Sequence, residues 1–296
     1  MKTRVRFQVL FAAAALAVAL LPGPLARAFD ESKYPDFKGR WVRVGSPNWV
    51  QPASDPQFKP TYDPRMYLPS PPGLLTPEYQ AMFDANRADL AAGGVGDVPS
   101  TFCIPQGMPM MMDLYDPMEI VVSPDVTYIL ISHVNDSYRR IYTDGRDWPT
   151  DVQPTFSGYS IGRWTSREGS GRYDTLEVET RFFRGPRAYD ATGLPLARDN
   201  QSIIKERFHL DTADRNTLYD DITVIDHALT RPWTLTRKTV RDANPRPAWR
   251  TEECPADNSW VRIGRDAYYM SADGFLMPTK KNQPPPDLRY FKPPQR

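Results

Sequence analysis

The chain has 296 residues, of which 37 are Lys or Arg, 36 are Asp or Glu and 31 are Pro. A formal net charge of +1 gives no support for the basic surface on which most nucleic-acid-binding proteins depend, so we expect no nucleic acid partner. The two cysteines and three scattered histidines show no metal-ligand spacing, and we expect neither a metal nor another cofactor.

The first 28 residues have the three parts of a secretory signal peptide. Basic residues at positions 2, 4 and 6 precede an apolar run over residues 9–21, and Ala26-Arg27-Ala28 is a small-x-small cleavage site. We therefore predict cleavage after Ala28 and a periplasmic or secreted mature protein with a formal charge of −3, because four basic residues leave with the signal. The apolar run is shorter than the roughly 20 residues of a membrane span, so no stable membrane insertion is expected after cleavage.

Short runs of alternating polarity recur along the rest of the chain, with turn residues between them. We predict about nine strands, at residues 36–44, 119–122, 128–133, 138–143, 160–164, 175–180, 202–210, 218–226 and 233–241. Such spacing is typical of an antiparallel meander. The predicted fold class is all-β with one short helix: a meander that forms a barrel or a strongly curved sheet, with extended Pro-rich arms.

The helix is predicted to begin at Thr76-Pro77-Glu78 and to end near Gly93-Gly94. Thr is a favoured N-cap, Pro suits the first helical position, and Glu suits the positive end of the helix dipole.

The chain is divided by these features into four predicted parts. They are a signal peptide (1–28), an N-terminal arm with the first strand and the helix (29–100), a β-barrel core (101–254) and a C-terminal wrapping segment with a Pro-rich tail (255–296). The chain has an even number of cysteines, Cys103 and Cys254, and both lie in the part predicted to be exported. This favours a disulfide between them; two buried free thiols are the alternative.

Four motifs together resemble those of a large group of exported bacterial proteins of unknown function. They are CxPxGMP from Cys103, RIYTDGR from Arg140, GxSIGxW from Gly158 and DTLxVET from Asp174. This chain departs from the group at residues 167–174, where a longer loop replaces a tight Glu-Gly-Asp turn. The Gly39-Arg40-Trp41 opening resembles that of lipocalin-like (calycin-like) barrels, whose Trp plugs the closed end. The resemblance implies fold and compartment and supplies no reaction.

Charged and aromatic side chains alternate along the predicted strands. The period of two puts Arg140 and Tyr142 on one face of their strand, Glu177 and Glu179 on one face of another, and Arg207 and His209 on one face of a third. If these faces turn into the barrel, their side chains form a polar cluster that is either a binding site or an internal salt-bridge network, because buried charges need partners.

Three functions remain open from the sequence. The first is a lipocalin-like protein that binds a small, partly apolar molecule, with ligand contacts from Trp41, Met108, Met111, Arg140, Tyr142, Arg163, Trp164 and Arg207. The second is an isomerase, lyase or hydrolase in which Glu177, Glu179 and His209 transfer protons in the same cavity. The third is a structural envelope protein without a ligand. A serine hydrolase is disfavoured, because the GxSxG motif at 158–162 is followed by a strand pattern rather than a helix.

Overall fold

The computed structural model describes residues 29–44, 73–113, 116–133, 135–166, 171–249, 254 and 259–286. The predicted signal peptide, the proline cluster at 47–72 and the last ten residues of the Pro-rich tail lie outside the described residues. Within the described ranges, no helix is long and apolar enough to cross a membrane.

Nine strands close into a barrel and follow one another around it in sequence order. They are β1 (Gly39–Arg43), β2 (Met118–Val122), β3 (Val126–His133), β4 (Asn135–Tyr142), β5 (Tyr159–Thr165), β6 (Thr175–Arg181), β7 (Ile203–Leu210), β8 (Thr217–Ile225) and β9 (Trp233–Arg241). The predicted all-β barrel with one helix is therefore confirmed. β1 pairs with both β2 and β9, and this double pairing closes the barrel.

One pair of neighbouring strands departs from the antiparallel meander. β4 and β5 run parallel, with Ile141 opposite Ser160. A parallel pair needs a crossover connection, which residues 143–158 provide. Arg146 holds this connection against the sheet: its Nε donates to Asp144 Oδ1 at 2.8 Å, and its guanidinium lies 3.8 Å from the centre of the Tyr142 ring. The Asp-Gly turn thus ends β4, as predicted, and begins a crossover.

The apolar face of each barrel strand packs inward. In β7 the buried positions are Ile204, Glu206, Phe208 and Leu210, which alternate with the more exposed Ile203, Lys205, Arg207 and His209. Trp41 is fully buried in the same core and donates its Nε1 hydrogen to the carbonyl oxygen of Phe37 at 2.8 Å. The barrel interior is therefore filled largely by a continuous hydrophobic core.

The helix and a second small sheet lie outside the barrel strands. Helix α1 (Pro77–Ala91) begins at the predicted Thr-Pro boundary, and its Thr76 amide donates to the carbonyl oxygen of Ala228 at 2.9 Å. Strands β10 (Trp260–Ile263), β11 (Asp266–Met270) and β12 (Leu276–Pro278) form an antiparallel sheet. The predicted disulfide is present between Cys103 and Cys254.

Candidate functional site

A charged cluster lies inside the barrel among apolar side chains. Arg139 of β4 and Glu206 of β7 are 1% and 2% exposed and face each other in two contacts, of which Arg139 Nη1 to Glu206 Oε1 measures 2.8 Å. Arg139 Nη2 also donates to Thr180 Oγ1 at 2.9 Å and to Ser160 Oγ at 3.3 Å. Bidentate geometry with extra hydrogen bonds is the arrangement in which a buried ion pair is tolerated.

A second buried pair and a single carboxylate complete this interior cluster. Arg237 of β9 contacts Asp113, whose backbone carbonyl also accepts a hydrogen bond from Arg43. Asp220 of β8 is opposite Arg237 in the strand register, yet neither of its carboxylate oxygens has a hydrogen-bond donor among the described residues. Burial, and then the negative charge of Glu206, raise the pKa of Asp220 well above its usual value.

The residues proposed as catalytic lie on the opposite, outer face of the strands. The polar cluster considered from the sequence forms only if the Glu177 face of β6 turns into the barrel. That condition is not met, because Leu176 and Val178 occupy the inner face of β6. Glu177 is 40% exposed in its side chain and pairs with Arg163 at 3.0 Å. The sequence left the inward face of these strands open, and in the structure the apolar set of each strand fills the core.

The outer face is instead a ladder of charges of alternating sign. Strand register places Arg163, Glu177, Arg207 and Asp221 side by side across β5 to β8. His209 Nε2 lies 3.2 Å from Asp221 Oδ2, which identifies the carboxylate as the main partner of this imidazole. This pairing holds the pKa of Asp221 below its usual value.

The remaining predicted outer-face residues also have local partners. Glu179 contacts Arg181, and its Oε2 lies 3.8 Å from Lys205 Nζ. Arg140 lies 5.6 Å from the centres of the Tyr128 and Tyr142 rings. These contacts are typical of a solvated sheet surface, and they do not bring Glu177, Glu179 and His209 together around a cavity.

The apolar residues proposed as a ligand-binding wall belong to the core. Trp41, Met108, Met111 and Trp164 are at most 9% exposed and pack in one hydrophobic cluster. Ser160, the serine of the GxSxG motif, is buried in β5 and hydrogen-bonds to Thr180 at 2.8 Å. It holds the interior cluster together and is not positioned on a nucleophile turn.

A groove that the structure describes lies outside the barrel. It is a groove of about 1190 Å³ between α1, residues 95–104, residues 185–200 and the turn that joins β10 to β11, with Lys280 at its edge. Its apolar wall includes Met82, Val95, Phe102, Ile104, Leu196 and Trp260. Ligand pockets typically measure about 300–1,000 Å³ and have mostly apolar walls with a few polar groups, so this groove is somewhat larger than a typical pocket and has a similar lining.

Buried and paired polar groups fix the walls of this groove. Asn86, buried on α1, donates to the carbonyl oxygen of Thr192 at 3.2 Å and accepts from the Asp97 amide at 2.7 Å. Lys280 Nζ bridges Asp89 at 2.8 Å and Asp266 at 3.2 Å, and these carboxylates raise the pKa of Lys280. These bonds connect the helix to the loops and to the small sheet, so the groove is built by paired contacts between distant segments.

Sequence reasoning missed this groove because its walls come from four separate segments. The one available signal was Asn86, a polar residue at a position of the apolar stripe, three residues after Phe83 and four before Leu90; the structure shows it buried.

No group of three or more His, Cys, Asp or Glu side chains in the described part of the chain is arranged to hold a metal ion. In comparisons with protein-family models, curated proteins and solved structures, nothing matches this chain.

Proposed function

We propose that this protein binds a small, partly apolar molecule, and that the molecule lies in the groove beside the barrel. The observation that supports this proposal is the groove itself, with its large volume and mixed lining. The barrel interior is a poorer candidate, because a hydrophobic core and paired charges occupy it.

The proposal includes a place outside the cytoplasm. The features in its favour are the signal-peptide pattern of residues 1–28 and the disulfide between Cys103 and Cys254, since disulfides persist in oxidising compartments. The resemblance to exported bacterial proteins fits the same compartment. We therefore place the binding protein in the periplasm or outside the cell.

Native mass spectrometry of the protein purified from a periplasm tests for a retained molecule. A mass above that of the bare chain, lost on denaturation, identifies a bound compound and its chemical class. Ala85 lines the groove on the exposed side of α1, so Ala85→Trp should fill part of the groove and reduce retention. Ala88→Trp is the matched control, because Ala88 is exposed on the same helix and does not line the groove.

The two tryptophan variants distinguish this site from the barrel interior. Loss of the bound molecule in Ala85→Trp alone supports the groove. Equal retention in both variants would place the molecule elsewhere. A bare chain that also fails to bind small amphiphiles added in solution would favour a structural envelope protein.

A further inference from the structure

The groove wall has more cationic side chains than carboxylates. Its cationic residues are Arg187, Arg198, Arg262, Arg265 and Lys280, and its carboxylates are Asp89, Asp97 and Asp266. Every one of these carboxylates has a cationic partner: Arg262 Nη1 binds Asp97 at 2.6 Å, and Lys280 binds the other two. The acidic groups of the wall are therefore already neutralised by the wall itself.

Two exposed arginines of the same wall take no part in these ion pairs. Arg198 follows the loop at 185–197, and Arg265 lies in the turn between β10 and β11. Neither guanidinium has an acidic partner within the described residues. Since the loop and the turn belong to different segments of the groove wall, a ligand in the groove can be approached by cations from both segments.

A third arginine, Arg187, is buried at the groove wall and is only 7% exposed. Its Nη1 donates to the carbonyl oxygen of Met108 and its Nη2 to Ser202 Oγ, each at 2.8 Å, while its Nε has no acceptor in the described part of the structure. Ser202 donates in turn to Asp226, and Asp226 and Asp199 are the carboxylates whose charges act on this guanidinium. Desolvation lowers the pKa of Arg187 to about 10, so it remains a cation at neutral pH.

We infer that the groove binds an amphiphilic organic anion, with its apolar body against Met82, Phe102 and Trp260 and its anionic head group against the wall arginines. This inference rests on the proposed function and specifies its ligand class. Guanidinium groups bind carboxylate and phosphate oxygens with charge-assisted hydrogen bonds, whereas a neutral ligand leaves these arginines to water. The head group is therefore a carboxylate or a phosphate, and the experiment separates the two.

Isothermal titration calorimetry with octanoate, octyl phosphate and octanol tests the inference, because the three probes share one apolar chain. We expect at least one of the two anions to bind about tenfold more tightly than octanol, the ratio that one charge-assisted contact provides. Arg198→Gln and Arg265→Gln should each weaken binding of that anion several-fold and leave octanol unchanged. Arg231→Gln is the matched control, since Arg231 is exposed and does not line the groove.

The outcomes separate this inference from the proposed function. Equal affinity for octanol and both anions, unchanged in the Arg198 and Arg265 variants and reduced by Ala85→Trp, would overturn the anion preference and keep the groove as a binding site. Failure of all three probes to bind would overturn both. An anion preference that Arg231→Gln reduces as much as Arg198→Gln would show a general charge effect and would also refute the inference. Preference for octyl phosphate over octanoate would assign a phosphate head group, and the reverse a carboxylate.

Discussion

Removal of Arg139 should destabilise the protein far more than removal of an arginine from the outer charge ladder. In Arg139→Met, the Glu206 carboxylate loses its only cationic partner in the described structure and remains buried beside Asp220. Breaking one partner of a buried ion pair typically costs about 3–5 kcal/mol. The matched variant is Arg163→Met, which removes an arginine whose side chain is 78% exposed. Its expected cost is within about 0.5 kcal/mol.

Urea unfolding with the disulfide intact measures both variants by linear extrapolation. For a chain of this size, each kcal/mol corresponds to a change in Tm of about 2–4 °C, so Arg139→Met should lower Tm by roughly 10 °C. The double variant Arg139→Met/Glu206→Leu should recover part of the loss, because an apolar pair of similar volume leaves no unpaired buried charge. The reasoning would be refuted if Arg139→Met cost no more stability than Arg163→Met. It would also be refuted if the double variant lost more stability than Arg139→Met and Glu206→Leu lose in sum.

Two further predictions concern Asp220 and the disulfide. Because the pKa of Asp220 is raised in the folded state, the folded protein holds this proton more tightly than the unfolded chain, and the contribution of Asp220 to stability should fall as pH rises above the ordinary Asp value of about 4. Asp220→Asn should therefore gain stability relative to the wild type as the pH of urea titrations rises above about 4; a stability difference that does not change with pH would contradict this. Cys103→Ser and Cys254→Ser should each destabilise, because the disulfide spans a sequence separation of 151 residues and such a closed loop is worth up to roughly 4–5 kcal/mol in the chain-entropy model. Equal midpoints of urea unfolding for the wild type with and without reductant would contradict that value.

The strands could be located from the sequence because a half-buried strand has a period of two. All nine predicted strands are barrel strands, and the helix begins at Pro77 as the Thr-Pro pair indicated. The parallel pairing of β4 with β5 could not be predicted in the same way. Asp144 and Gly145 show only that a strand ends, whereas the partner of the next strand depends on how the whole barrel closes.

Which face of each strand turns inward was left open by the strand pattern, although the sequence contained a signal for it. Glu206 lies between Ile204 and Phe208 on one face of β7, and Asp220 lies between Leu218 and Ile222 on one face of β8. A single charge within an otherwise apolar face indicates a buried, paired charge more strongly than a run of charges on a polar face does. The outer residues were grouped by the strand period alone, and several charges on one face are typical of solvent exposure.

The sequence by itself determined the position of the strands, the helix start and the two cysteines available for a disulfide, because these depend on local periodicity, capping and composition. Tertiary structure alone decided which charges meet. Arg139 and Glu206 are 67 residues apart, and Lys280 and Asp89 are 191 apart, so each pair forms only after barrel closure and packing of the small sheet. The groove has the same origin: its walls are distant segments, and their separation is fixed by packing rather than by local sequence.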